Sequence, residues 1–128
     1  MTGAAGGIGR ALVSALEAEG TTVRGLDLVD GFDVTDPQAW IDVPPAELVC
    51  LNAGVLAKGD GTIDDYRRIL AVNVDGVVFG VQGLAPRMRA GSAFVVTASA
   101  PQASDVQAEW KPSRSASCAN STPPFGSS

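Results

Sequence analysis

Three glycines at the spacing G-x-x-x-G-x-G open the chain, at Gly3, Gly7 and Gly9, with Gly6 as an extra. Glycine has no β-carbon, so backbone N–H groups in such a turn can approach a phosphate closely. A helix-like pattern follows at once, and a helix aims the positive end of its dipole at an anion held there. Phosphate binding is the chemistry these residues suit; a tight turn with no ligand would use the same ones. Asp27 stands eighteen positions beyond Gly9. A dinucleotide fold needs an acid at about that distance, roughly 20 residues on, to accept hydrogen bonds from the adenosine ribose hydroxyls. A solvated acid at a strand end is the plainer alternative.

These residues need a helix and several strands to hold them. The apolar residues Ile8, Ala11, Leu12, Ala15 and Leu16 recur at helical spacing over residues 7–19, and Gly20 stops the pattern. Residues 21–28 read as a strand, β-branched at its start and acidic near its end. Thr35 or Asp36 caps a short helix over residues 38–42, which Val43-Pro44-Pro45 breaks. The apolar run 47–51 predicts a parallel strand buried on both faces and leading into Asn52-Ala53-Gly54. Cys50 within that run reads as a core filler or, alternatively, a reactive thiol. Residues 58–61 form a loop. A helical stripe then runs from Ile63 almost to Met88, long enough to predict a break near Asn73; Arg87 and Arg89 suit its negative end and Gly91 terminates it. Residues 93–97 read as another buried strand, delivering Ser99 to the C-terminal edge where open α/β sheets bind ligands. From residue 100 to residue 128 the chain is rich in Ser, Pro, Ala and Gln, without apolar period, and reads as a disordered or aberrant tail.

At 128 residues the chain is one domain or part of one, and 45% hydrophobic residues suffice for a packed core. A net charge of −5 argues against nucleic-acid and anionic-membrane partners, which need a basic face. No histidine is present, which removes His-based acid–base catalysis and His-ligated metals; no metal site is expected. Two cysteines make no disulfide framework and suit a cytoplasmic protein. No apolar run of membrane-spanning length is expected.

Thr2-Gly3-x-x-x-Gly7-x-Gly9, Asp27, Asp33-Val34, Asn52-Ala53-Gly54, Asn73 and Ser99 fall in one order at one set of spacings. Together they closely resemble the short-chain dehydrogenase/reductase family, over residues 2 to 99. The resemblance implies an α/β fold: a doubly wound, Rossmann-like parallel sheet, here a fragment lacking most of its first strand and its C-terminal catalytic helix. It implies NAD as cofactor and alcohol–carbonyl hydride transfer as the activity. Gly3, Gly7, Ile8 and Gly9 would line the pyrophosphate, Asp27 the adenosine ribose, and Asp33 and Val34 the edge of the adenine. Asn52, Ala53 and Gly54 would shape the floor beneath the cofactor, Asn73 would support the proton relay, and Ser99 would hydrogen-bond the substrate oxygen.

Three departures stand against the matches. The family's Tyr-x-x-x-Lys pair should follow the serine, yet after Ser99 there is one lysine, Lys111, and no tyrosine; the lone Tyr66 lies upstream, four residues from Leu70. The first strand, expected before Thr2, is reduced to Met1. Leu51 stands where the family often has a second Asn.

The sequence therefore reads as an NAD-dependent oxidoreductase of this type, truncated and inactive as written. The alternative is a non-catalytic dinucleotide-binding or interaction module; a methyltransferase would leave Asn52-Ala53-Gly54 and Asn73 unexplained. An intact form would act on a small-molecule alcohol or carbonyl compound and form a homo-oligomer. It would prefer NAD over NADP roughly a hundredfold, because Asp27 repels a 2′-phosphate. Unpaired inner edges beside the missing strand should make residues 1–128 poorly stable alone. The loss of pattern after Ala100 reads as a shifted frame, in which another frame would restore the Tyr-x-x-x-Lys pair.

Overall fold

Helix α1 (Gly7–Ala18) starts where the glycine-rich turn ends, with Gly6 as its N-cap. The computed structural model describes residues 1–57 and 61–99, and its first unit is Met1–Ala98. Residues 58–60 of the expected loop, and the expected tail, lie outside the described residues.

The helical period of α1 is as expected, but its apolar stripe is uncovered: Ile8 is 63% exposed and Gly9 is the buried residue of the helix. Periodicity forms an amphipathic helix; it does not supply the surface that helix packs on. The expected strand over residues 21–28 is reduced to a single parallel bridge, Leu26 to Thr2. Its pairing partner is the reason. Residues 1–3 alone run beside it, through Met1 N to Arg24 O at 2.8 Å, Leu26 N to Met1 O at 2.9 Å and Gly3 N to Leu26 O at 3.0 Å. On its other side Thr2 N donates to Cys50 O at 2.9 Å. These three residues thus bridge, over a short length, the inner edges expected to be unpaired.

The expected helix over residues 38–42 is instead a run of turns. Ala39 N bonds Asp36 O and Ile41 N bonds Gln38 O, i to i+3 bonds that never become an α-helical ladder before Pro44 ends the segment. The Asp36 carboxylate holds the Gln38 N–H at 2.9 Å, while Thr35 donates to Asp33 rather than capping. The turns carry Trp40 into the core, where its Nε1–H donates to Val34 O at 3.1 Å and its ring meets Phe32 edge-on, centroids 5.1 Å apart.

Strands β1 (Leu48–Leu51) and β2 (Ala93–Val96) pair in parallel, Leu48 opposite Ala93 and Leu51 opposite Val96. Neither is buried on both faces. Val49 and Leu51 face the core, whereas Leu48 is 44% exposed; every β2 residue is exposed except the half-buried Phe94. The apolar runs foretold strands correctly. Burial depends on a second covering layer, which the described residues do not place there.

Between the strands runs one helix, Ile63–Arg87, of 25 residues. It comprises α2 (Ile63–Leu70), a π-helical stretch (Ala71–Asp75), α3 (Gly76–Leu84) and a 3-10 turn (Ala85–Arg87). Thr62 and Asp65 form a reciprocal capping box at its start. The break expected near Asn73 is this π stretch, which changes the register without ending the helix. Gly91, with φ +90°, sits in a later turn instead of terminating the helix, which ends at Arg87 where Met88 turns extended; the Arg87 side chain donates to Gly83 O, Ile41 O and Trp40 O. By length and composition this helix could cross a membrane, contrary to expectation. Its buried Gly76, Gly80 and Leu84 pack within the molecule, against Val34, Trp40 and Leu51. The core is Val34, Trp40 and Val43 from the turns, Val49 and Leu51 from β1, and Leu84 from α3.

Candidate dinucleotide-binding site

Helix α1 has no side-chain cap at Gly6 and no acid in its first turn. The N–H groups of Gly7, Ile8 and Gly9 therefore have no intrahelical acceptor and no carboxylate competing for them. The turn before them is tight. Gly3 has φ +66°, and a β-carbon on it would lie 2.9 Å from Ala53 Cα. A β-carbon on Gly9 would collide with the carbonyl oxygen of Gly3. Close backbone approach is thus the reason for glycine at both positions, and the result is a row of N–H donors at a helix start, an arrangement suited to phosphate.

Asp27 lies beside this turn. Its Oδ2 accepts from Ala5 N at 2.9 Å and its Oδ1 from Val29 N at 3.3 Å. Gly25, two residues earlier, comes so near the turn that a β-carbon on it would be 3.0 Å from Ala4 Cβ.

Thr2 joins the turn to the end of β1. It is 2% exposed, and its hydroxyl oxygen accepts from both Asn52 N and Ala53 N at 3.0 Å. The Asn52 side chain turns across the sheet, accepting from Thr97 Oγ1 at 2.9 Å. Asn73 grips Val55, three residues beyond Asn52: Oδ1 accepts from Val55 N at 2.8 Å and Nδ2 donates to Val55 O at 2.9 Å. Gly54 lies under it, a β-carbon there being 3.6 Å from Asn73 Oδ1.

The remaining sequence candidates fall elsewhere. Asp33 is exposed and accepts from its neighbour Thr35 at 2.9 Å (N) and 2.8 Å (Oγ1). Val34 turns its side chain into the core, where a β-carbon on Gly76 would touch it at 2.9 Å. Ser99 is exposed and follows Ala98, the last residue of the first unit. The structure thus gathers Gly3, Gly7, Gly9, Asp27, Asn52, Ala53, Gly54 and Asn73 around the C-terminal end of β1. Thr2 stands in the sequence motif without an assigned role, and Ala5 and Thr97 are participants that the motif does not name. A threonine directly before the first glycine was the one legible signal; the other two are chosen by tertiary contact. Beneath the site, burial lowers the pKa of the Met1 amine from its usual 8.0, opposed in part by Cys50. A cavity of about 270 Å³ lies at the opposite end of β1, lined by Pro45, Ala46, Glu47, Arg87, Arg89 and Ser92, and contains none of the candidate residues.

No family model matches the chain. A short-chain type dehydrogenase/reductase of Sinorhizobium fredii is 31% identical over 128 residues, which cover 77% of this chain and 23% of that protein. The trans-4-hydroxycyclohexanecarboxylate dehydrogenase of Sinomonas cyclohexanicum is 29% identical over 104 residues, covering 71% of this chain and 40% of the relative. The chain therefore spans well under half the length of the curated relatives it matches. Among solved structures, a short-chain dehydrogenase/reductase superfamily protein from Agrobacterium tumefaciens with bound NAD is 33% identical over 74% of this chain and 30% of that one, with a TM-score of 0.55. A glucose/ribitol dehydrogenase from Brucella melitensis, 21% identical, shares the fold at a TM-score of 0.66 over 75% of this chain and 54% of its own.

Proposed function

We propose that this chain, a short-chain dehydrogenase/reductase by its relatives and its fold, binds NAD at the glycine-rich turn. The observation carrying this reading is the uncapped start of α1 pressed against Gly3, with the Asp27 carboxylate beside it. Gly7, Ile8 and Gly9 would give their N–H groups to the pyrophosphate, and Asp27 its open lone pairs to the adenosine ribose. Asn52, Ala53 and Gly54, held by Thr2 and Asn73, would floor the nicotinamide side. The exposed Asp33 would meet the adenine edge, with Val34 contributing backbone, since its side chain is in the core. When bound, the cofactor would supply hydride exchange with an alcohol or carbonyl carbon.

NAD over NADP follows from charge. A 2′-phosphate would meet the Asp27 carboxylate, and Leu28 offers no cation. The sequence of this chain has no Tyr-x-x-x-Lys pair after Ser99, so the 128 residues bind cofactor without turnover, in the manner of a non-catalytic module. The acidic composition and the thiols suit the cytoplasm. Calorimetric titration of the full chain tests this: saturable NAD binding, roughly a hundredfold weaker NADP binding and no oxidation of secondary alcohols are expected. Equal affinities would sink the assignment of Asp27, and turnover would sink the non-catalytic reading.

A further inference from the structure

The Asp27 carboxylate is engaged with the protein before any ribose reaches it. Oδ2 holds the N–H of Ala5, in the middle of the glycine-rich turn, at 2.9 Å, and Oδ1 holds Val29 N at 3.3 Å. Asp27 and Ala5 are 22 residues apart, so this contact ties the turn to the neighbouring extended segment. Gly25, which leaves room for Ala4, lets the two backbones come close enough for it. The turn has few other ties. Gly3 N donates to Leu26 O at 3.0 Å, Gly6 N to Gly3 O at 3.2 Å and the Arg10 guanidinium to Ala5 O at 2.7 Å, which leaves the Ala5 N–H to Asp27; Gly6 has no side chain to anchor the helix start.

We infer that Asp27 is a positioning residue for the phosphate-binding turn, holding Ala5 so that the N–H groups at the start of α1 are aimed before ligand arrives. This rests on the dinucleotide-binding reading and adds a second role to the residue at its ribose end. Both roles fit one carboxylate, because its two oxygens offer about four acceptor positions, of which the protein uses two. A bond from a neutral N–H to a carboxylate is stronger than one between neutral groups, so its loss should be felt at Ala5 by about tenfold or more.

The test compares the full chain with Asp27→Ala and Asp27→Asn. Amide exchange is read at Ala5, Val49 and Leu51 without ligand, and affinities are measured for NAD and for inorganic pyrophosphate, which has no ribose. Asp27→Ala should speed exchange at Ala5 about tenfold or more and leave Val49 and Leu51 unchanged. It should weaken pyrophosphate binding about tenfold. Asp27→Asn, which keeps an acceptor oxygen, should retain most of both. Unchanged exchange at Ala5 in Asp27→Ala overturns the positioning role, and loss of NAD binding alone would then leave the ribose contact standing. Faster exchange at Val49 to the same degree as at Ala5 also overturns it, since that marks a general loss of stability. Faster exchange at Ala5 with pyrophosphate and NAD weakened to the same degree supports the positioning role and removes the ribose contact instead.

Discussion

Asn73 and Val55 are paired through both backbone polar groups of Val55. The Asn73 amide accepts from Val55 N at 2.8 Å and donates to Val55 O at 2.9 Å, as a neighbouring strand would. The π stretch Ala71–Asp75 presents this amide to the segment that follows β1. Asn73→Ala would release both groups to water, because the site is exposed. The expected loss is about 1 kcal/mol of stability, with faster amide exchange confined to Val55 and its neighbours. Asn73→Asp, lacking the donor, should lose part of this. Equal protection of Val55 in the wild type and Asn73→Ala would contradict the pairing.

Thr2 is more deeply placed, and its replacement should cost more. Thr2→Val keeps the shape and leaves the N–H groups of Asn52 and Ala53 without an acceptor in a part-buried setting. About 2–4 kcal/mol should be lost, against under about 1 for Thr2→Ser, which keeps the oxygen. Urea midpoints of the two variants measure the difference.

Gly80 makes the seat for Trp40. A β-carbon there would stand 2.8 Å from Trp40 Cη2 and 2.9 Å from Leu51 Cδ2. Alanine favours helix, so an exposed glycine-to-alanine change would stabilise α3; here overpacking should win and cost about 1–3 kcal/mol. A rise in melting temperature for Gly80→Ala would show that the tryptophan has room to move.

The Met1 amine predicts a pH dependence. Its pKa is lowered in the folded chain by burial, with Cys50 raising it by a smaller amount. Between the folded value and the unfolded value near 8.0, the unfolded chain binds more protons, so this group makes stability rise with pH and level off above about 8. Denaturant midpoints should increase over that window, and acetylation of the amine should flatten the increase. A midpoint that falls over the same range, and does so only in the unacetylated chain, would reverse the sign.

The sequence by itself determined the parts whose signal is local. The glycine spacing and helical period specify a turn running into α1, because backbone freedom at Gly3 and Gly9 and the stripe after them are properties of neighbouring residues. The same holds for the strands at 48–51 and 93–96 and for the disturbance near Asn73. Tertiary structure decided what those elements touch. Whether residues 21–28 form a strand depends on how much chain runs beside them, and residues 1–3 support one bridge. The burial of β1 and β2 depends on layers that no period reveals. Trp40 became core, and its segment a set of turns, because α3 offers glycines at 80 and 83 to receive it. The bonds of Asp27 to Ala5, Thr2 to Ala53 and Asn73 to Val55 span 22, 51 and 18 positions. Contacts that distant leave no mark in local spacing. They form because packing brings the chain ends of separate elements to one edge of the sheet, where each buried or half-buried polar group must find a partner.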